Sequence, residues 1–125
     1  MHRIWIALGA LAGLSGVAMA AAAAHGVGWR LGPAASGLVQ TAIQMQMWHA
    51  LALLLCGIRA ERDGRGHWTA AAFALGILGF SGGLYLRAFD VPRLPGFLSH
   101  GITPIGGILL MLGWALLALS ALRRR

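Results

Sequence analysis

Four stretches of this chain contain no Asp, Glu, Lys or Arg: Ile4–Ala24, Leu38–Ile58, Trp68–Leu86 and Ile102–Leu122. A helix rises about 1.5 Å per residue, and the hydrocarbon core of a bilayer is about 30 Å thick. Each stretch is therefore long enough to cross a membrane. Backbone N–H and C=O groups in lipid must find partners within the protein, which leaves helices or a closed barrel. A barrel would show shorter segments of alternating polarity, and these do not alternate. The expected fold is an all-α integral membrane protein, a single domain over residues 1–125. Four transmembrane helices, about 4–24, 38–58, 68–87 and 102–122, would form an up-down-up-down bundle joined by short loops.

The net charge of +7 raises the question of nucleic acid, and the positions of the charges argue against it. All ten basic residues are Arg, and they sit at helix ends. With four spans, one side holds Arg3, Arg59, Arg62, Arg65, Arg123, Arg124 and Arg125, and the other holds Arg30, Arg87 and Arg93. Such an excess in short loops marks the cytoplasmic side, so both termini are expected there. The Arg123–Arg125 run reads as a stop anchor that also attracts anionic lipid. The first segment has features of a signal peptide: Arg3, the apolar Ile4–Val17, then Ala18-Met19-Ala20. Its apolar run continues through Ala24, which favours a retained helix. Cys56 is the only cysteine, which excludes an intrachain disulfide and a multi-cysteine metal site.

Small residues mark the expected helix contacts. Gly9 and Gly13 form a GxxxG step with Ala12 and Gly16 beside it, Gly79 and Gly83 repeat the pattern, and Gly106, Gly107 and Gly113 do so more loosely. Small side chains let membrane helices approach closely. Pro33 places the start of helix 2 either near residue 33 or at Leu38; the longer helix would tilt or protrude. Arg59–His67 reads as a charged cytoplasmic turn. Pro92 and Pro95 keep Arg87–Gly101 from being helical throughout. Thr103-Pro104 reads as a helix start with Thr as N-cap and Pro behind it.

Helix 2 is the unusual one, with Gln40, Thr41, Gln44, Gln46 and His49 but no charge among them. At 100° per residue from Gln40, Gln44 lies near 40°, Thr41 near 100°, His49 near 180° and Gln46 near 240°. So wide a spread implies contact with other helices over much of the circumference. His49 is roughly 16 Å below Leu38, close to the midplane. The other four, together with Ser81, Tyr85, Thr103 and His25, fall in the outer half. Polar side chains in lipid normally face the bundle interior. Two readings follow: a packed hydrogen-bonded cap, or a pocket open to the periplasm. The spacing of His25 and His49 matches no metal motif, and the spans hold no carboxylate. The two could ligate haem from two helices only with bending or tilt, so no cofactor is predicted. No Ser-His-Asp set, Cys-His set or phosphate-binding glycine pattern is present.

Gln40–Ala52, Phe80-Ser81-Gly82-Gly83-Leu84-Tyr85, Ile102–Gly107 and Gly113-Trp114 resemble domain-of-unknown-function family 423. These are small four-span bacterial inner-membrane proteins, similar to the eukaryotic transmembrane protein 256. The resemblance covers essentially the whole chain, and Ala21, Ala24 and His25 match the family's helix-1 ending. It implies four spans and points to His25, Gln40, Gln46, His49, Ser81, Tyr85 and Thr103 as matched positions, with no activity to carry over. Small multidrug exporters, by contrast, need an intramembrane carboxylate, and the Phe-rich motif of four-span fluoride channels is not visible.

The functional expectation is a non-enzymatic protein of the bacterial inner membrane. It would act as an accessory or scaffold element in a larger membrane complex or homo-oligomer. The alternative is a module that binds or transports a small molecule, lipid or quinone through the polar cluster.

Overall fold

The computed structural model describes residues 2–90 and 95–123. The main elements are four helices: α1 (His2–Ala22), α2 (Gly28–Asp63), α3 (His67–Ala88) and α4 (Ile102–Leu122). All four are long and apolar enough to cross a membrane. A wide π turn, Ala23–Val27, follows α1, and a second, Phe97–Gly101, leads into α4.

The boundaries differ from the uncharged stretches for local reasons. The turn after α1 breaks the helical path at Gly26, which takes φ 135°, a conformation open to glycine and strained for L side chains. α2 is broken at Gly32 (φ 75°), and its continuous part begins at Pro33, whose fixed φ suits a first turn. It ends at Asp63, so Arg59–Asp63 are helical and the expected turn shrinks to residues 64–66. Arg, Ala and Glu are good helix formers, and a helix has no reason to stop where the apolar run does. The cap of α4 is Gly101, not Thr103. Pro104 still falls within the first turn of α4, where its fixed φ suits the helix. Pro92 lies outside the described residues; Pro95 accepts a bond from Leu98 N–H.

The helices pack in chain order, α1 on α2, α2 on α3, α3 on α4, while α1 and α3 meet little. Half of the apolar window of α2 is buried and 56% of that of α3, against 11% for α1 and 17% for α4. α2 and α3 are thus the centre, and α1 and α4 are flanks. The core between them is Leu53, Cys56, Ala70, Phe73, Ile77 and Leu110, with a smaller cluster of Val39, Ile43 and Ala88 towards the other end. Free Cys56 is buried there as a small apolar side chain.

Glycines set the closest approaches. A methyl group on Gly106 would run into the backbone of Gly79 and Phe80, which locates the α3–α4 crossing. Gly83 lies against Thr103 and Gly113 against the Phe73 ring. On α1 the contact glycines are Gly9, facing Leu54 and Ala50, and Gly16, facing Met47. Gly13 faces open space, so the Gly9–Gly13 step is not the packing face. A seven-residue spacing keeps Gly9 and Gly16 on one side of the helix, whereas a four-residue step drifts off it. Gly107 makes only ordinary contact with the Phe80 ring.

Candidate functional site

The buried side of α2 runs through Val39, Ala42, Ile43, Gln46, His49, Ala50, Leu53, Cys56 and Ala60, and the outward stripe through Gln40, Gln44, Trp48, Leu51, Leu55 and Ile58. The helical wheel therefore divides the polar residues of α2 into two groups. Gln46 and His49 lie on the buried arc; Gln40, Thr41 and Gln44 lie on the exposed one. α2 thus packs over about half of its circumference, and on the exposed half Thr41 satisfies its own hydroxyl on Gly37 O at 3.0 Å.

Gln46 is 5% exposed and binds three helices together. Its amide nitrogen donates to Ala12 O at 2.7 Å and to Ser15 Oγ at 2.8 Å on α1. Its Oε1 accepts from Tyr85 Oη at 2.9 Å on α3. Ser15 donates in turn to Leu11 O at 2.9 Å. Ser81, on α3, donates to Ala42 O of α2 at 2.9 Å. The orientation of the amide is fixed, because Ala12 O can only accept. Counting hydrogens, every side-chain donor of Ser15, Gln46, Ser81 and Tyr85 is used within the protein. The capacity left over is acceptor lone pairs on their oxygens.

These four residues line a groove of about 700 Å³ left where α1 and α3 diverge over α2. Its walls are otherwise apolar, including Leu8, Leu53, Ala74 and Ile77, and its rim residues Leu11, Leu14 and Leu78 are exposed. Groove size and lining fall in the range of small-molecule sites, apolar with a few convergent polar groups.

His49 belongs to a separate cluster. Its Nδ1 donates to Met45 O at 2.6 Å, and its Nε2 accepts from Trp114 Nε1 on α4 at 3.0 Å. Those two partners select the neutral imidazole with the proton on Nδ1. The rings of His49, Phe73 and Trp114 pack around one another, Phe73 and Trp114 edge to face at 5.3 Å.

The expected single cluster is therefore divided. Gln46, Ser81 and Tyr85 come together. His49 is occupied elsewhere, with both ring nitrogens engaged. Gln40 is exposed, and so is His25, whose φ of −102° and ψ of 21° place it in the turn after α1. Thr103 is buried against Gly83, and its hydroxyl has no hydrogen-bond partner among the described residues. Of the candidates His25, Gln46, Tyr85 and Thr103, only Gln46 and Tyr85 are hydrogen-bonded to one another. Ser15 and Trp114 were the partners missed. Ser15 carries the one hydroxyl of α1, at a depth comparable with Gln46, and that was the available signal. At the opposite end, Trp5 Nε1 donates to His67 Nδ1 at 2.9 Å and Arg59 Nη1 to Ser120 Oγ at 2.9 Å.

Residues 19–107 match the sequence profile described as "Protein of unknown function (DUF423)". The chain is similar to a UPF0382 membrane protein of Haemophilus influenzae, 35% identical over 100% of this chain and 98% of that one. It is also similar to the UPF0382 inner membrane protein YgdD of Escherichia coli K12, 33% identical over 97% and 91% of the two chains. A UPF0382 membrane protein of Staphylococcus haemolyticus is 33% identical over 97% of each. No solved structure matches.

Proposed function

This chain belongs to the DUF423 family of membrane proteins, and from its geometry we propose that it is a binding module for a lipid-soluble molecule carrying a hydrogen-bond donor. The carrying observation is the groove between α1 and α3, apolar in its walls and acceptor-only in its polar groups. The protein is a multi-pass inner-membrane protein, so a groove with an exposed leucine rim meets lipid rather than water. An apolar body entering it gains contact with the leucines. A hydroxyl or phenol hydrogen finds Tyr85 Oη or Gln46 Oε1, whereas a pure acceptor, such as a quinone carbonyl or an ether, finds no hydrogen to take. The reading favours a quinol or a lipid alcohol over the corresponding quinone or ether.

Gly82 lines the groove, and a side chain added there meets nothing within 4 Å. Gly82→Leu should therefore fill the groove and leave the fold intact. Wild-type protein purified in mild detergent should retain a small molecule in about equimolar amount, measured by mass spectrometry of the extract, and Gly82→Leu should lose most of it. A long-chain phenol should displace it about tenfold better than its methyl ether, the ratio expected for one buried hydrogen bond. Equal retention by the two proteins would refute the groove as a site. A stoichiometric protein partner with no bound small molecule would favour the accessory or scaffold role instead.

A further inference from the structure

A second cavity, of about 430 Å³, lies at the end of the molecule that carries both termini, where α2 ends, α3 begins and α4 ends. Arg59, Arg65 and Arg123 line it, with no carboxylate among the lining residues. Arg59 is held in place by Ser120, its Nη1 on Oγ at 2.9 Å and its Nη2 at 3.5 Å from the carbonyl oxygen. A guanidinium has five N–H donors, and these two bonds fix its plane at the cavity wall. Thr69, 6% exposed, also lines the cavity and adds a hydroxyl to its polar groups. The wall between these groups is apolar: Leu116, Leu119 and Trp68, the last 84% exposed.

We propose that this cavity holds the phosphate of an anionic phospholipid, with the root of an acyl chain against Leu116, Leu119 and Trp68. Three guanidinium groups that line one cavity complement a phosphodiester. The first turn of α3 has no side-chain cap at Gly66 and presents its free amides at the same end. Free phosphate would use the arginines and leave the apolar wall bare, whereas a lipid uses both. The cavity is independent of the groove between α1 and α3, and either can fail without the other.

The test titrates the full-length protein in detergent with phosphatidylglycerol or phosphatidylcholine and counts bound lipid by native mass spectrometry. Phosphatidylglycerol should bind about tenfold tighter, and Arg65→Gln/Arg123→Gln should abolish that preference. Both arginines are exposed, so the double variant should still fold. Thr69→Val, which keeps the side-chain shape, gives a second variant and should weaken phosphatidylglycerol about threefold. Arg30→Gln, at the opposite end, should change nothing. An unchanged preference in the double and Thr69→Val variants would overturn the proposal. So would an equal loss in Arg30→Gln, which means diffuse attraction, or full displacement of the lipid by millimolar inorganic phosphate.

Discussion

His49 has one hydrogen to give and one lone pair to offer, and both are taken. That makes the imidazole a neutral link from α2 to α4. An interhelical hydrogen bond in a membrane contributes about 0.6 kcal/mol on average and up to ~1.7. A double-mutant cycle of His49→Leu and Trp114→Phe, measured by SDS titration in mixed micelles, should give a coupling in that range. Trp114→Phe keeps a ring against Phe73, so the cycle isolates the bond. A coupling near zero would mean that the two side chains only pack. Gln46 and His49 were legible in the sequence because a polar side chain in lipid demands a partner. Ser15 was not, because a serine can satisfy itself on its own helix, as this one does on Leu11 O. Trp114 was not, because a tryptophan needs no partner to be tolerated near a membrane. Gln40 shares their half of the membrane but not their angle: about 0°, against about 180° and 240° for His49 and Gln46, puts it on the exposed face.

At the scale of the helix, existence was easy to read and contact was not. Length and the lack of charge decide that a span exists, but which small residue meets a neighbour depends on how two axes cross. Gly106 and Gly13 make the contrast testable. Gly106 sits where α3 and α4 touch backbone to backbone, and no flexible side chain is there to give way. Gly106→Ala should destabilise the protein by about 1–3 kcal/mol through overpacking. Gly13→Ala, in open space, should stay within about 0.5 kcal/mol of wild type. Unfolding midpoints in the same SDS titration read both. Equal effects would show that α3 and α4 do not cross at Gly106. The start of α2 was legible because proline fixes its own φ; the cap of α4 was not, because a helix already running through the preceding π turn has no use for Thr103.

For the whole molecule, four antiparallel spans put both termini at one end, and the Trp5–His67 and Arg59–Ser120 bonds tie that end together. The flanking helices are mostly exposed to lipid, and the divergence of α1 from α3 opens the groove; no sequence pattern announced that gap, because it depends on the angle between helices that are not neighbours in the chain. The orientation of the molecule in its membrane follows from charge. Seven of the ten arginines belong to the end with the termini. Arginine in short loops resists translocation, so that end should face the cytoplasm. Single cysteines placed at Arg30 and at Gly64 on a Cys56→Ser background test this directly. Both positions are exposed, and they lie at opposite ends. An impermeant maleimide should label position 30 on intact spheroplasts and position 64 only after lysis. The groove bears on the same experiment: with this orientation Tyr85 and Gln46 lie in the periplasmic leaflet and the arginine cavity in the cytoplasmic one. The reverse labelling would exchange the leaflets and leave the arginine excess on the translocated side.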